Sequence, residues 1–152
     1  MPPTTEDEFA TLLGYRFRDA ALLTEALTHA SLDGGRKQKT GPDNDRLEFL
    51  GDRVLGLVIA SHLLATFEDA DAGGLARRYN SLVRRETLAK VASKLDLGAH
   101  LRMSKAEESS GGRNKSAMLA DGCEAVIAAL YLDGGLEAAS TFIHAHWDSL
   151  VG

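Results

Sequence analysis

Three acidic residues in one predicted helix have a spacing that places their side chains together. Glu48 and Asp52 are four residues apart and Asp45 precedes Glu48 by three, so an α-helix would project all three toward one side. The neighbouring positions are apolar, at Leu47, Phe49, Leu50, Val54 and Leu55. A carboxylate drawn toward an apolar core is costly unless it is paired or binds a metal ion. The pattern therefore allows an acidic ridge that takes a cation.

A second acidic pair repeats this setting later in the chain. Asp121 and Glu124 are three residues apart and are flanked by Leu119, Val126 and Ile127. If the two helices cross face to face, four carboxylates converge on one point. Oxygen donors of this kind suit a hard cation such as magnesium and do not suit zinc. Such an ion could activate a water molecule and stabilise charge on a phosphate group.

Other uses of these acids stay open on spacing alone. They could be surface side chains that form local ion pairs with Arg46 or Arg53. A di-iron bundle also uses helical carboxylates, but it requires Glu-x-x-His pairs, and no histidine of this chain lies three residues after a glutamate. We expect His29 at a helix C-terminus, where a cation suits the helix dipole, and this favours a capping role over catalysis.

Helical periodicity runs through most of the chain and predicts a single all-α domain over residues 1–152. We find no alternating β pattern, no repeat of fixed period and no long linker. Asp19 is placed to cap a helix and Gly14 to end one. The connections are predicted at 31–43 and 104–114. The predicted helices are 5–13, 19–29, 44–67, 75–83, 86–95, 115–132 and 136–150.

Two glycines interrupt the long third helix. Gly51 and Gly56 lie in the middle of a segment with no proline. Glycine costs about 1 kcal/mol relative to alanine inside a helix. Their presence predicts that another part of the protein packs closely against this backbone.

The bulk composition indicates a soluble, cytoplasmic protein. The chain has 152 residues, of which 44% are hydrophobic, enough for one core. Its first thirty residues lack the basic start and apolar run of a secretory signal, and we expect no segment that approaches a membrane span. The one cysteine, Cys123, cannot form an internal disulfide or a zinc site by itself, and we expect it to be buried.

The net charge of −5 argues against a surface that is basic throughout. Basic residues nevertheless cluster locally, and by default such clusters are solvated faces. The clusters are Arg36, Lys37 and Lys39; Arg77, Arg78, Arg84 and Arg85; and Arg113 with Lys115.

The two acidic segments closely resemble the signature motifs of the ribonuclease III family. The first is Asp45-Arg-Leu-Glu-Phe-Leu-Gly-Asp52, and the second is Leu119-Ala-Asp-Gly-Cys-Glu124 with its continuation to Gly135. Supporting similarity covers nearly the whole chain, at Leu13-Gly-Tyr-Arg-Phe17, Ala26-Leu-Thr-His-Ala-Ser31, Leu82-Val-Arg-Arg-Glu-Thr-Leu88 and Ser110-Gly-Gly-Arg113. The resemblance implies the helical, homodimeric fold of the endonuclease domain of that family.

The resemblance also implies roles for individual residues. Glu48, Asp52, Asp121 and Glu124 would be the carboxylates that bind magnesium, with manganese able to substitute, and Asp52 and Glu124 the catalytic pair. Asp45 would be an accessory acid. A further family position, at the dimer interface, corresponds to Phe49, which is otherwise most simply a core residue.

The reaction that the resemblance implies is hydrolysis of double-stranded RNA by a metal-activated water. It leaves a 5′-phosphate and a 3′-hydroxyl with short 3′ overhangs, and the family processes precursors of ribosomal and messenger RNA. Duplex RNA is read largely by shape through phosphates and 2′-hydroxyls, so modest basic patches suffice. The candidate RNA contacts are Arg77, Arg78, Arg84, Arg85, Arg113 and Lys115.

The sequence departs from the family pattern in three respects. Asp45 stands where many members have Glu, and Ala72 where a further Glu is common, which puts accessory roles of these positions in doubt. Bacterial members usually continue into a double-stranded-RNA-binding domain, whereas this sequence stops at Gly152. An isolated catalytic domain and a naturally short form are both compatible with this. Either would bind RNA more weakly and with strong salt dependence, because fewer phosphate contacts are available.

Two functions compete with the nuclease. One is a noncatalytic module of the same fold that binds double-stranded RNA or mediates assembly, and the four retained acids disfavour it. The other is a helical protein-interaction domain with incidental acids, which does not explain two acidic motifs in the family order.

Overall fold

The computed structural model describes residues 5–33 and 42–152. Within them the fold is all-α, as predicted, with one isolated β-bridge between Thr28 and Arg102. Short 3-10 turns lie at Ala30–Asp33, Gly112–Asn114 and Asp148–Leu150. The helices are α1 Thr5–Leu13, α2 Ala20–Ala26, α3 Asp45–Thr66, α4 Ala72–Val83, α5 Arg85–Lys94, α6 Leu97–His100, α7 Lys105–Ser109 and α8 Ser116–Trp147.

Helices α3 and α8 form the centre of the protein and share its most extensive helix-helix contact. Leu55 and Ile59 of α3 and Ile127 and Leu130 of α8 are almost completely buried. Helix α5 packs on α8, and α4 on α3. The two acidic segments lie on α3 and α8, so this central pair of helices positions the candidate site.

The same two helices correct one expectation. Residues 45–66 and 116–150 are long and apolar enough to cross a membrane by length and composition, although no such segment was expected. The apolar side chains of these two helices largely form the core between α3, α8 and the surrounding helices. A core helix of this length meets the same criteria as a membrane span.

Both glycines of α3 lie where another group approaches the backbone, as predicted. A Cβ at Gly51 would come within 1.7 Å of the carbonyl oxygen of Glu124 on α8, and one at Gly56 within 2.6 Å of the Tyr79 hydroxyl on α4. Real Cβ atoms do not approach other atoms so closely. Glycine at these two positions therefore permits the close packing of α3 against α8 and α4.

The start of α2 is as predicted, but its end is not. The Asp19 side chain caps the helix by accepting a hydrogen bond from the Ala21 N–H. The helix stops at Ala26, because the next residues pair with another segment: the Arg102 N–H donates to Leu27 and the His29 N–H donates to the Arg102 carbonyl. The expected position of His29 at a helix C-terminus was therefore wrong.

The predicted break after residue 132 is present as a kink. Residues 116–147 form one helix that contains a single non-helical position, Gly135 with φ +74°. Beside it, Asp133 accepts hydrogen bonds from the Tyr15 hydroxyl at 2.6 Å and from the Arg18 and Asp19 N–H groups, both at 2.9 Å. These bonds attach the segment that leads into α2 to the kink of α8.

Several other boundaries differ from prediction. Helix α4 begins three residues early, because Asp71 caps it by accepting a hydrogen bond from the Gly74 N–H at 2.8 Å. The connection predicted at 104–114 contains α7, which the Ser104 side chain caps, and the short α6 was not predicted. The connection predicted at 31–43 and the cluster of Arg36, Lys37 and Lys39 fall largely or wholly outside the described residues.

Candidate active site

The four acids of the two motifs meet across the contact between α3 and α8. Glu48 is hydrogen-bonded to Asp121, and Asp52 is hydrogen-bonded to Glu124. Asp121 and Glu48 also act electrostatically on Glu124, so the two pairs form one coupled group. The two acidic motifs are thus brought together as two carboxyl pairs. Their convergence on one ion stays a prediction.

Glu124 is the most strongly perturbed carboxyl of the group. Burial raises its pKa to about 9, helped by its hydrogen bond to Asp52 and by the negative charge of Asp52 and Asp121. Without a cation, Glu124 therefore keeps its proton at neutral pH and donates it to Asp52.

The pKa of Glu48, in the other pair, is raised by a smaller amount. Burial raises its pKa to about 7, and the charges of Asp121 and Asp45 add to this effect. The pKa of Asp121 is also raised by burial, although Arg85 and His29 oppose the rise. A cluster whose carboxyls resist ionisation accepts either protons or a cation, because only these relieve the repulsion.

Asp45, predicted as an accessory acid, lies at the edge of this group. It is exposed at the first position of α3, and its charge contributes to the raised pKa of both Glu48 and Asp121. It therefore adds to the negative potential of the site from its outer side.

One of the local ion pairs considered in the sequence analysis is present, between Arg53 and Asp52. Arg53 lies 3.3 Å from the Asp52 carboxylate, and both side chains are exposed. Arg46 acts instead on Glu25. Burial raises the pKa of Glu25, and the charge of Arg46 offsets part of this rise. The pairing with Arg53 does not replace the contact of Asp52 with Glu124, so both interactions occur together.

Phe49 is on the surface and not in the core. Its side chain is 63% exposed, and the guanidinium of Arg53 lies over its ring at 3.9 Å. A core role for Phe49 is thus excluded, which leaves the role at an interface open.

Two residues near the acids were not identified from the sequence. His29 acts electrostatically on Asp121, and it was missed because a helix terminus was expected there. Burial raises the pKa of Tyr79, and the charges of Asp52 and Glu124 raise it further, so Tyr79 lies near these two acids. Only the glycine at position 56, against which its hydroxyl packs, could have indicated a neighbour.

The predicted RNA contacts separate into three groups. Arg85 lies near the acids, since its charge acts on Asp121, whereas Arg113 and Lys115 are engaged within the protein. The Arg113 guanidinium donates to the carbonyls of Gly98 at 2.9 Å and Leu101 at 2.6 Å. The Lys115 ammonium lies 2.7 Å from Glu107. These bonds brace the 97–115 segment.

The remaining three arginines of that prediction are exposed on and after α4. Arg78 stacks over the Phe67 ring at 3.8 Å, and Arg84 lies 3.8 Å from Glu86. Arg77 lies next to the glycines at the start of α4. Their role in RNA contact stays a prediction.

The described residues form an all-helical fold with paired carboxyls on α3 and α8. A family profile described as ribonuclease-III-like matches residues 19–148. The chain therefore belongs to the ribonuclease-III-like family.

Curated relatives agree with this assignment. The chain is 52% identical over 152 residues to the Ribonuclease 3 of Jannaschia sp. (strain CCS1), which covers 99% of this chain and 65% of the relative. It is 52% identical over 143 residues to the Ribonuclease 3 of Ruegeria pomeroyi, covering 94% of this chain and 62% of the relative. The chain thus spans less than two thirds of the length of these relatives.

A solved structure shows the same fold. The nuclease domain of ribonuclease III from Campylobacter jejuni superposes with a TM-score of 0.85 at 38% identity, over 93% of this chain and 98% of that one. The description of that structure refers to flexibility in a region involved in its dimer formation. A second structure of the same nuclease domain gives a TM-score of 0.82.

Proposed function

We propose that this domain is the catalytic part of an endoribonuclease that cuts double-stranded RNA, with water as the nucleophile and 5′-phosphate and 3′-hydroxyl ends as products. The observation that carries the proposal is the pair of carboxyl contacts, Glu48 with Asp121 and Asp52 with Glu124, at the contact of α3 and α8. The family membership and the named relatives support it.

The donor set fits magnesium. All four side chains offer carboxylate oxygens, which are the ligands that magnesium prefers. The raised pKa values of Glu48 and Glu124 are consistent with this, because a bound divalent cation would stabilise their ionised forms and displace the protons. We assign Glu48, Asp52, Asp121 and Glu124 as the residues that hold magnesium, or manganese in its place.

When bound, magnesium supplies positive charge against the phosphate and lowers the pKa of water. The chain provides the rest of the site. Asp52 and Glu124 would direct a water molecule toward the phosphate. Arg85, whose charge acts on Asp121, would contact the RNA backbone. Arg77 of α4 and Arg84, between α4 and α5, are exposed and would offer further positive charge to phosphates.

We also propose that the protein acts as a homodimer. Phe49, Leu57 and Leu64 are exposed apolar residues of α3, at 63%, 56% and 67%, and their spacing of eight and seven residues places them on one side of the helix. Burial of such a stripe against a second copy would remove apolar surface from water. Two copies would present two acidic centres, one for each strand of a duplex.

We also propose a cellular location and a class of substrates for the enzyme. We place it in the cytoplasm, without a membrane partner, where its substrates would be precursors of ribosomal and messenger RNA. The long apolar helices α3 and α8 already use much of their apolar surface in the core.

A cleavage assay tests the nuclease. Purified protein is incubated with end-labelled long duplex RNA, with and without magnesium, beside Asp52→Asn and Glu124→Gln. Glu137→Gln, an exposed acid elsewhere on α8, is the matched control. We expect cleavage only with magnesium, a loss of at least about a hundredfold in both site variants, and unchanged cleavage by the control.

The outcomes separate the competing functions. Intact RNA in every lane would contradict the nuclease. If a gel-shift assay then showed duplex binding, the noncatalytic binding module would be favoured. Association of two copies without RNA binding would favour the protein-interaction domain.

A further inference from the structure

A group of side chains with the chemistry to hold a metal ion lies away from the acidic centre. His62 of α3, His144 of α8 and Asp148 of the following turn each offer one ligand atom, and these atoms lie within 4.8 Å of one another. The group is formed by the far end of α3 and the end of α8. His62 follows Asp52 by ten residues of the same helix, a separation of about 15 Å at 1.5 Å per residue.

The contacts within the group are short. The Nδ1 atom of His144 lies 2.8 Å from Oδ1 of Asp148, and Nε2 of His62 lies 3.7 Å from the same oxygen. The two imidazole rings pack edge to face with centroids 5.0 Å apart. Two nitrogens and one oxygen, from two helices and the turn after α8, thus lie within 4.8 Å of one another.

The fold holds this group in place. Trp147, directly before Asp148, is fully buried and donates its indole N–H to the Leu82 carbonyl at 2.8 Å. This bond fixes the end of α8 and with it the positions of His144 and Asp148. The three side chains of the group remain partly exposed, so an ion can reach them from solvent.

The donor set differs from that of the acidic centre. Imidazole nitrogens suit borderline transition metals such as zinc, whereas carboxylates alone suit magnesium. Zinc bonds of about 2.0–2.1 Å in a tetrahedron place ligand atoms about 3.4 Å apart, close to the 3.7 Å and 2.8 Å separations observed here. Three protein ligands would leave the fourth position to water.

We propose that His62, His144 and Asp148 form a binding site for a divalent transition metal ion of the zinc class, independent of the acidic centre. The ion would join α3 to the end of α8 and so stabilise the fold at the end of the molecule away from the nuclease site. A simple interaction of His144 with Asp148 accounts for one contact of the group but does not require His62 to approach the same oxygen.

Cobalt, a spectroscopic substitute for zinc, provides the test. Metal-stripped protein without an affinity tag is titrated with Co²⁺ in excess magnesium, which occupies the acidic centre. We expect one saturable equivalent with visible absorption bands and quenching of the one tryptophan, Trp147. Zinc should displace the cobalt and raise the melting temperature of the protein.

Variants assign the site. His62→Ala and Asp148→Asn should each weaken cobalt binding at least tenfold and remove the rise in melting temperature with zinc. His146→Gln, a histidine of the same helix that packs on Phe142, should bind as the unaltered protein does, and so should Glu124→Gln. Circular dichroism confirms folding, and His144→Gln replaces any variant that does not fold.

Three results would overturn the assignment: no saturable binding in excess magnesium, equal affinity in folded His62→Ala protein, or loss of binding in Glu124→Gln. The last would place the cobalt in the acidic centre. None of these results bears on whether the protein cleaves RNA, which the Glu137→Gln comparison tests separately.

Discussion

The carbonyl oxygen of Glu124 lies against the backbone of Gly51, so close that a Cβ at residue 51 would come within 1.7 Å of it. This contact sets the distance between α3 and α8 beside the four acids. Residues on either side of it, Glu48 and Asp52, reach Asp121 and Glu124 across the same contact. The separation of the helices and the geometry of the acidic centre therefore depend on one glycine.

Gly51→Ala should destabilise the protein. The new methyl group would overlap a helix backbone, which cannot rotate away, so α3 and α8 must separate. Overpacking of this kind costs about 1–3 kcal/mol or more, against a gain of about 1 kcal/mol from the helix propensity of alanine. Urea denaturation measures the net loss, and we expect the RNA cleavage rate to fall as well.

Gly73→Ala is the matched control for that substitution. Its Cβ would lie 3.4 Å from the flexible end of the Arg77 side chain, and the position is exposed in the first turn of α4. We expect unchanged or slightly increased stability. Equal stability of the two alanine variants would show that α3 and α8 are not held at this contact.

The stability of the metal-free protein should fall as pH rises. Glu48 and Glu124 have pKa values raised to about 7 and about 9 in the folded state, so the folded protein holds these protons more tightly than the unfolded chain does. Their contribution is fully present below the unfolded pKa near 4.5 and is lost as pH passes 7 and then 9. Melting curves in EDTA from pH 5 to 9 measure this decline.

Glu124→Gln should flatten that decline, because the amide does not ionise, and magnesium should oppose it in the unaltered protein. We expect the melting temperature of the variant to exceed that of the unaltered protein at pH 8.5 by about 5 °C without metal. Glu137→Gln should keep the full pH dependence. A metal-free protein that is most stable at pH 9 would contradict the coupled carboxyl pairs.

Asp133→Asn should loosen the attachment of the α2 segment to α8. The carboxylate accepts three hydrogen bonds, from the Tyr15 hydroxyl and two backbone N–H groups, and an amide offers only one acceptor oxygen. We expect a loss of about 1–3 kcal/mol in chemical denaturation. Tyr15→Phe removes a single bond and should cost about 1 kcal/mol, and a larger loss for Tyr15→Phe than for Asp133→Asn would contradict this account.

Phe49→Ala should weaken association of two copies without harming the fold. The ring is exposed, so its removal leaves the core intact, and truncation of a central aromatic at an interface commonly raises the dissociation constant tenfold or more, roughly 1.4 kcal/mol. Sedimentation velocity measures the change. Leu12→Ala, at an exposed position of α1, is the control, and a fully dimeric Phe49→Ala protein would remove Phe49 from the proposed interface.

Local patterns predicted much of the fold and the acidic centre. The spacing of Glu48 with Asp52 and of Asp121 with Glu124 placed each pair on one helical face, and the glycine at position 51 indicated the close approach of a neighbour. These features depend on helical periodicity and on the absence of a side chain. Both can be read from a single segment of sequence.

Features that depend on distant segments were missed. Helix α2 ends at Ala26 because Arg102 pairs with Leu27 and His29, and nothing in the sequence around His29 indicates this pairing. The sequence around Arg113, a predicted RNA contact, likewise did not indicate its hydrogen bonds to carbonyls of the 98–101 segment. The grouping of His62 with His144 arises only from the packing of α3 against α8.

Arg53 connects two surfaces of α3 that are otherwise separate. Its guanidinium lies over the ring of Phe49 and contacts the carboxylate of Asp52, so anything that covers the ring also confines this cation. Docking of a second subunit would then change how easily Arg53 gives way to an incoming ion at Asp52. Ion binding at the acidic centre and the proposed pairing of subunits would thus influence each other through one side chain.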